Sequence, residues 1–407
     1  MTTAAARPEP SVTRWAAVGL IVGAGIVAAL QVGKAPIAAP LLEGDLGISL
    51  AALGWLTGVF ALIGLVGGIP TGALVGSLGA RRVLVAGLLV TAAGAAAGAL
   101  SAGLAMLMVS RIVEGAGFLL IIVAAPSLLG RVSRPGDRDL AFALWSCFMP
   151  LGLAAAMLVG PMFDDWRAMW WASGGLALAL CLLVPLVVPV SRERHAWSWR
   201  HLRDETAAVF GNAGAVGLAV SLALYSLMFF ALFSFLPVLL MEQMGVSHRT
   251  AGLLGALASA VNVIGNLAAG VMLSRGVSRP ALLIGACLVM GAASLGIFLP
   301  LLPATATFLL CVLFSAVGGL IPATILSSAP IVASSAALVP VVIGLIVQGN
   351  NLGQILGPVA VGSAIERFGW SSAAVIVAGA ALMGTAVVVA YAHRLAVPNS
   401  ERKGGSR

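Results

Sequence analysis

Arg111 and Glu114 lie three residues apart inside a long apolar run, 104–130. If that run is helical, the two side chains share a face. A charge at bilayer depth is costly and marks function more often than packing. Of the 14 acidic residues in the chain, Glu114 alone falls deep in an apolar run, and none of the four histidines does. Two readings follow. The pair is a structural one that neutralises itself, or Glu114 is a proton site whose protonation frees Arg111 to meet an anion. Lys34 is the other cation inside a run, with Gln31 three residues earlier on the same side. It either snorkels to the surface or contacts a substrate. Uncharged amides form a third group. Asn262 and Asn266 share a stripe with Ser259 and Gly270, while Gln348, Asn350, Asn351 and Gln354 fall within seven residues. Amides suit hydrogen bonding to a small polar solute. The alternative is interhelical glue, worth about 0.6 kcal/mol per bond. The stripe Tyr225, Phe229, Phe233 reads as core packing.

The elements that position these groups follow from composition. The chain has 407 residues, 60% hydrophobic and 9% charged, against roughly 25% charged in soluble domains. That excludes a soluble enzyme, a disordered regulator and a fibrous protein. A membrane helix needs about 20 apolar residues. Twelve such stretches occur, near 15–38, 51–72, 83–101, 104–130, 139–161, 168–190, 212–241, 249–273, 281–301, 304–328, 337–362 and 371–393. The fold class expected is therefore an all-α membrane protein. Seventeen of the 22 Lys and Arg residues fall at one side if the ends alternate, three (Arg167, Arg249, Arg367) at the other, and Lys34 and Arg111 within spans. The excess of positive charge places both termini in the cytoplasm. The nine tryptophans fall near run ends or in loops and read as interfacial anchors.

The chain reads as a duplication. Gly72–Arg82 is echoed by Gly270–Pro280 at an offset of 198, and Pro126 by Pro330 at 204. Gly152, Ala156, Gly160 and Pro161 are echoed near 197 by Gly349, Gly353, Gly357 and Pro358. The halves are 1–190 and 212–393, joined by 191–211 and followed by a tail, 394–407. Such duplications place a site near the midplane between halves. Glycine ladders at Gly64, Gly68, Gly72 and Gly76, and at Gly349, Gly353 and Gly357, keep one helix face small. They serve packing, gating, or both.

The motifs resemble the major facilitator superfamily across the chain. The junction after the second helix is similar to that family's G-x3-D-R/K-x-G-R/K-R/K signature through Gly72, Gly79, Arg81 and Arg82; its acidic and basic positions are Gly76 and Ser77 here. Arg111-Ile-Val-Glu114-Gly115 resembles the family's R-x-x-Q/E-G motif. Gln31-Val-Gly-Lys34 and Gln348-Gly-Asn350-Asn351 are similar to bacterial members near the cyanate and nitroimidazole transporters. The resemblance implies a twelve-helix secondary transporter working by alternating access, with helices 2 and 11 facing each other between halves.

No Gly-Lys-Ser/Thr P-loop, H-E-x-x-H or G-x-S-x-G motif occurs. Cys147, Cys181, Cys287 and Cys311 fall inside runs, without metal or disulfide spacing. The expectation is thus no enzyme, no metal and no cofactor. The partners expected are a small-molecule substrate, H+ and the lipid bilayer, without nucleic acid, in a monomer of a bacterial-type inner (plasma) membrane. Two interior cations and many amides favour a small polar or anionic organic solute, taken up with a proton at Glu114. Gln31, Lys34, Arg111 and the six amides would contact it. Proton-coupled export of drugs or metabolites is the alternative, and a channel the more distant one.

Overall fold

A computed structural model describes residues 12–189, 209–334 and 338–395. Backbone groups in hydrocarbon must bond within their own segment, which only helices and closed barrels allow. The chain forms helices: α1 (Trp15–Ile37), α2 (Leu50–Gly58, then Leu62–Leu78), α3 (Ala80–Ala99), α4 (Leu104–Val132), α5 (Arg138–Ser146, then Phe148–Val159), α6 (Trp166–Val187), α7 (Ala213–Phe233), α8 (His248–Ser274), α9 (Arg279–Phe298), α10 (Ala304–Gly318, then Leu320–Val332), α11 (Val339–Phe368) and α12 (Ser371–Leu395). Among the described residues, eleven stretches are long and apolar enough to cross a membrane. The thirty-residue α11 is not one of these, and it carries Gln348, Asn350, Asn351 and Gln354.

Two short helices, Ala39–Leu46 and Leu236–Met244, were not separable from sequence. The apolar run 212–241 breaks after Phe233 because Pro237 lies in the first turn of a new helix, where a missing N–H costs nothing. These short helices display the duplication closely. Each ends on a left-handed glycine, Gly47 (φ 59°) and Gly245 (φ 62°). Each is followed by a serine that caps the next helix: Ser49 accepts from Ala52 N and Ser247 from Thr250 N. Each also offers an acid to an indole at the start of the half's last helix, Trp166 in its first position and Trp370 just before it. Asp45 Oδ2 accepts from Trp166 Nε1 at 3.0 Å, and Glu242 Oε2 from Trp370 Nε1 at 2.8 Å.

Within the N-terminal half α3 packs on α4 and α6, and α1 on α5; within the C-terminal half α7 packs on α11 and α12. Two seams join the halves, α2 against α11 and α5 against α8. Both tighten toward the end away from the central linker, called the far end here. A Cβ on Gly54 would strike the Pro358 carbonyl and one on Gly58 would reach Ile355 O at 3.0 Å, both backbone contacts, whereas one on Gly64 would meet only the Asn351 side chain, at 2.6 Å, and one on Gly68 only that of Gln348, at 3.8 Å. On the other seam, Gly252 abuts Met157 and Pro161, Gly255 meets Met157 no closer than 3.4 Å, and Gly270 faces open space. Hydrogen bonds from Ala51 N to Glu366 Oε2 (3.1 Å) and between His248 Nε2 and Ile37 O (2.7 Å) cross between halves at the far end. The halves are thus closed at the far end and diverge toward the linker.

Candidate functional site

The site is built by α1, α4 and α6, with α2 and α3 closing on it. Arg111 and Glu114 share a face of α4, and Glu114 accepts from two buried cations, Lys34 and Arg111. Oε1 takes a proton from Lys34 Nζ at 2.5 Å, and Oε2 is paired with Arg111 Nη1. All three side chains are fully buried. Lys34 also donates to Ser173 Oγ at 3.2 Å and lies 4.5 Å over the Trp170 ring. Arg111 Nε donates to Leu56 O at 3.4 Å, and its guanidinium lies 4.6 Å over Phe60. The aromatic faces add cation–π attraction where water is excluded. Two cations on one carboxylate leave a net charge of +1, and Arg111 Nη2 and Trp170 Nε1 have no partner.

Glycine lets the helices approach closely enough for this. A Cβ on Gly94 of α3 would sit 2.8 Å from both Glu114 Cγ and its backbone nitrogen, and one on Gly98 would strike the Trp170 indole. A Cβ on Gly115 would run into the Phe60 carbonyl. Phe60 lies in the single 3-10 turn, Val59–Ala61, that interrupts α2. Such a turn inside a long helix often marks a hinge, and this one lies directly on the charged cluster.

Among the described residues, the cluster has no mate in the other half. At the α4–α10 offset of 204, Arg111 and Glu114 correspond to Ser315 and Gly318. There Asn262 Nδ2 donates to Ser315 O at 2.9 Å, and Asn266 Nδ2 to Asn262 Oδ1 at 2.9 Å. The duplicated scaffold carries charge in one half and amides in the other.

The remaining sequence candidates are spread out. Gln31 is fully buried; its Nε2 donates to Val27 O, and its Oε1 has no partner. The Asn351 amide packs on Gly64 across the α2–α11 seam, and Gln348 faces Gly68. Asn350 turns the other way and accepts from Ser226 Oγ of α7. Gln354 is buried with Nε2 unpartnered. Gly349, Gly353 and Gly357 face the backbone of α7 at Ala219, Ala223 and Leu227, inside their own half. Their ladder is a packing face between α7 and α11. What surrounds Gly72 and Gly76 lies outside the described residues. Arg81 Nη1 donates to Pro185 O and Val188 O, each at 3.1 Å, closing the end of α6, while Arg82 is exposed. Tyr225, Phe229 and Phe233 are buried and in ring contact.

Sequence reasoning assigned Trp166 and Trp170 to the membrane interface, but both are buried. Trp166 binds Asp45, and Trp170 lies against Lys34. Ser173, three residues after Trp170, completes the ammonium's contacts. Their helical spacing put them on one face of α6; nothing in the sequence showed that this face meets Lys34.

The Major Facilitator Superfamily profile matches residues 21–339 and again 218–407, so the second match repeats part of the first. A probable actinorhodin transporter of Streptomyces coelicolor is 28% identical over 192 residues, 46% of this chain and 33% of that protein. The arabinose-proton symporter of Escherichia coli is 27% identical over 187 residues, 45% of this chain and 39% of that protein. The matched stretches thus span little more than a third of these relatives. The crystal structure of a bacterial homolog of the human lysosomal transporter Spinster, inward-facing and occupied, superimposes with a TM-score of 0.76 at 18% identity, covering 97% of this chain and 100% of that one. A membrane-spanning duplication with this fold and a profile match over nearly its whole length is a member of the Major Facilitator Superfamily.

Proposed function

We propose that the protein is a secondary active transporter that takes up a small polar or anionic organic solute together with a proton, by alternating access. The buried group Lys34–Glu114–Arg111 carries this reading. Protonating Glu114 removes the one negative charge between two cations. A substrate anion could then satisfy them in its place, so proton and anion favour each other's binding, as linkage requires. Electrical balance supports the same pairing. Moving one negative charge inward against ~100 mV costs ~2.3 kcal/mol, whereas a monoanion with one proton crosses as a neutral pair. Access would come through α2, whose interrupted turn at Val59–Ala61 lies on Arg111. The unpartnered Oε1 of Gln31 and Nε2 of Gln354 would hydrogen-bond the uncharged part of the solute, and Asn351 and Gln348, which face α2 across the seam, would line its path.

The arginine bias puts the linker end in the cytoplasm of an inner membrane. The observed state then opens inward. Export of drugs or metabolites is the second reading, favoured by the likeness to the actinorhodin transporter of Streptomyces coelicolor.

The test uses purified protein in liposomes with an imposed inward proton gradient, screened with labelled small carboxylates, cyanate-like anions and cationic dyes. Accumulation of an anion that collapses with protonophore and is lost in Glu114→Gln is the result expected. Dye expulsion without anion movement would establish the exporter instead. Unchanged proton-driven accumulation by Glu114→Gln would remove the proton site from Glu114.

A further inference from the structure

His248 begins α8, and its ring reaches α1 in the other half. A carbonyl can only accept, so the 2.7 Å contact with Ile37 O is a donation from Nε2–H. Ile37 is the last residue of α1, and Lys34 stands in the same final turn. Pro36, also in that turn, has no N–H, so the backbone there is held by fewer bonds than in a regular helix. Ala38 N to Lys34 O, at 3.0 Å, is one that remains. The turn's shape is set largely by what its side chains grip. Lys34 grips Glu114 and Ser173. Ile37 is wedged against the turn Gly160–Met162 that follows α5, where a Cβ on Gly160 would come within 2.6 Å of it. One turn of helix therefore carries a cation of the charged cluster and the acceptor of a bond between the halves.

We propose that His248 is a latch between the halves, keyed to Glu114. While Glu114 is charged, Lys34 holds the last turn of α1 in the shape that presents the Ile37 carbonyl to His248, and the far end stays closed. When Glu114 takes a proton, Lys34 loses its partner, the proline-weakened turn relaxes and the latch releases. The groups facing Glu114 are Lys34 from α1 and Arg111 from its own helix, with Ser173 and Trp170 of α6 holding Lys34. The second bond at that end, Ala51 N to Glu366, joins α2 to α11 and shares no turn with the cluster. It closes the end without sensing the proton. The coupling half of this proposal rests on Glu114 being the proton site; the latch itself does not.

Spin labels at Gly44→Cys and Gln243→Cys, both at the far end in open or exposed positions, report its opening in full-length protein in liposomes at fixed pH. Cys147, the partly exposed native thiol, is replaced by alanine throughout. His248→Ala is expected to raise the long-distance population at least fivefold. His248→Gln, whose amide still donates, stays near the parent. Glu114→Gln opens the end as well, and Glu114→Gln with His248→Ala opens it no further than the larger single change, since both act through one turn. Glu366→Ala with Glu114→Gln adds in full. If Glu114→Gln does not fold, Glu114→Asp, which shortens the reach to Lys34, replaces it. An unchanged distance distribution in His248→Ala overturns the latch whatever Glu114 does. Full additivity of the Glu114 and His248 changes overturns the coupling. Failure of Glu114 as the proton site is read separately, in the uptake assay.

Discussion

Gly115 and Gly319 hold the same place in the two halves. A Cβ on Gly115 would strike the Phe60 carbonyl of α2, and one on Gly319 the Asn262 carbonyl of α8. The two glycines are 204 residues apart, the offset that also relates Pro126 to Pro330. In each half this contact brings the fourth helix of the repeat onto the second with no side chain between them. What stands beside it differs: a buried carboxylate with two cations in one half, an amide on a carbonyl in the other.

Alanine at either glycine should therefore be costly. In an exposed helix Gly→Ala stabilises by about 1 kcal/mol. Here the methyl meets backbone that cannot turn aside, and overpacking of this kind costs about 1–3 kcal/mol. Gly115→Ala and Gly319→Ala are expected to lower the thermal midpoint of detergent-solubilised protein. Gly23→Ala, with nothing within 4 Å, should leave it unchanged or raise it. Equal midpoints for Gly115→Ala and Gly23→Ala would mean that α2 and α4 are not in backbone contact.

The charged cluster should respond unequally to losing its members. Lys34→Met leaves Glu114 with Arg111, a balanced pair. Glu114→Gln leaves two buried cations with no counter-charge, and removing one partner of a buried pair costs about 3–5 kcal/mol. Glu114→Gln is expected to destabilise by that amount, and Lys34→Met by clearly less. Unfolding titrations of both proteins check the order. A larger loss in Lys34→Met would show that the ammonium, not the carboxylate, holds the cluster together.

The helices, the duplication and the pair Arg111–Glu114 were legible because each depends on local pattern: apolar length, internal offset and i,i+3 spacing. The third member was not. Lys34 is 80 residues from Glu114, and on an isolated helix it reads equally well as a snorkelling cation or a substrate contact. Only the packing of α1 on α4 and α6 shows that it is an ion-pair partner. Asn350 and Asn351 illustrate the same limit. Adjacent residues on a helix point about 100° apart, so one bonds Ser226 inside its half while the other packs on Gly64 across the seam. The break in α2 also escaped the sequence, since Val59–Ala61 contains neither proline nor glycine.

Asp45 should not contribute to pH dependence in the physiological range. Its carboxylate accepts from the Trp166 indole and from Arg167, and those bonds hold its pKa below the ordinary carboxylate value, about 3.9. A depressed pKa in the folded state gives stability that is present above the unfolded value and lost as pH falls through the folded one. The staple is thus intact from neutrality down to the acid range. Carbon-13 NMR of the Asp45 carboxyl should show titration below the ordinary value, moving upward in Trp166→Phe. Titration of the wild-type carboxyl near pH 6 would contradict the bonding seen here and would make Asp45 a rival to Glu114 for any pH effect on transport.

The direction in which the halves open depends on which end faces the cytoplasm. The described arginines at the linker end include Arg14, Arg81, Arg82, Arg131, Arg134, Arg138, Arg275 and Arg279, while Arg167, Arg249 and Arg367 stand at the far end. Several of these cations are already committed inside the protein. Arg81 closes the end of α6, and Arg167 binds Asp45 at 2.6 Å. Arg82 and Arg275 are exposed and remain able to meet the anionic surface of a cytoplasmic leaflet. A bias that survives this discount predicts that Ser274→Cys, at the linker end, reacts with a membrane-impermeant maleimide only in inverted vesicles. Gln243→Cys, at the far end, should react only in right-side-out cells. The reverse pattern would turn the observed state into one open to the outside. The latch at His248 would then guard the cytoplasmic side, and the proton at Glu114 would open that side rather than the outer one.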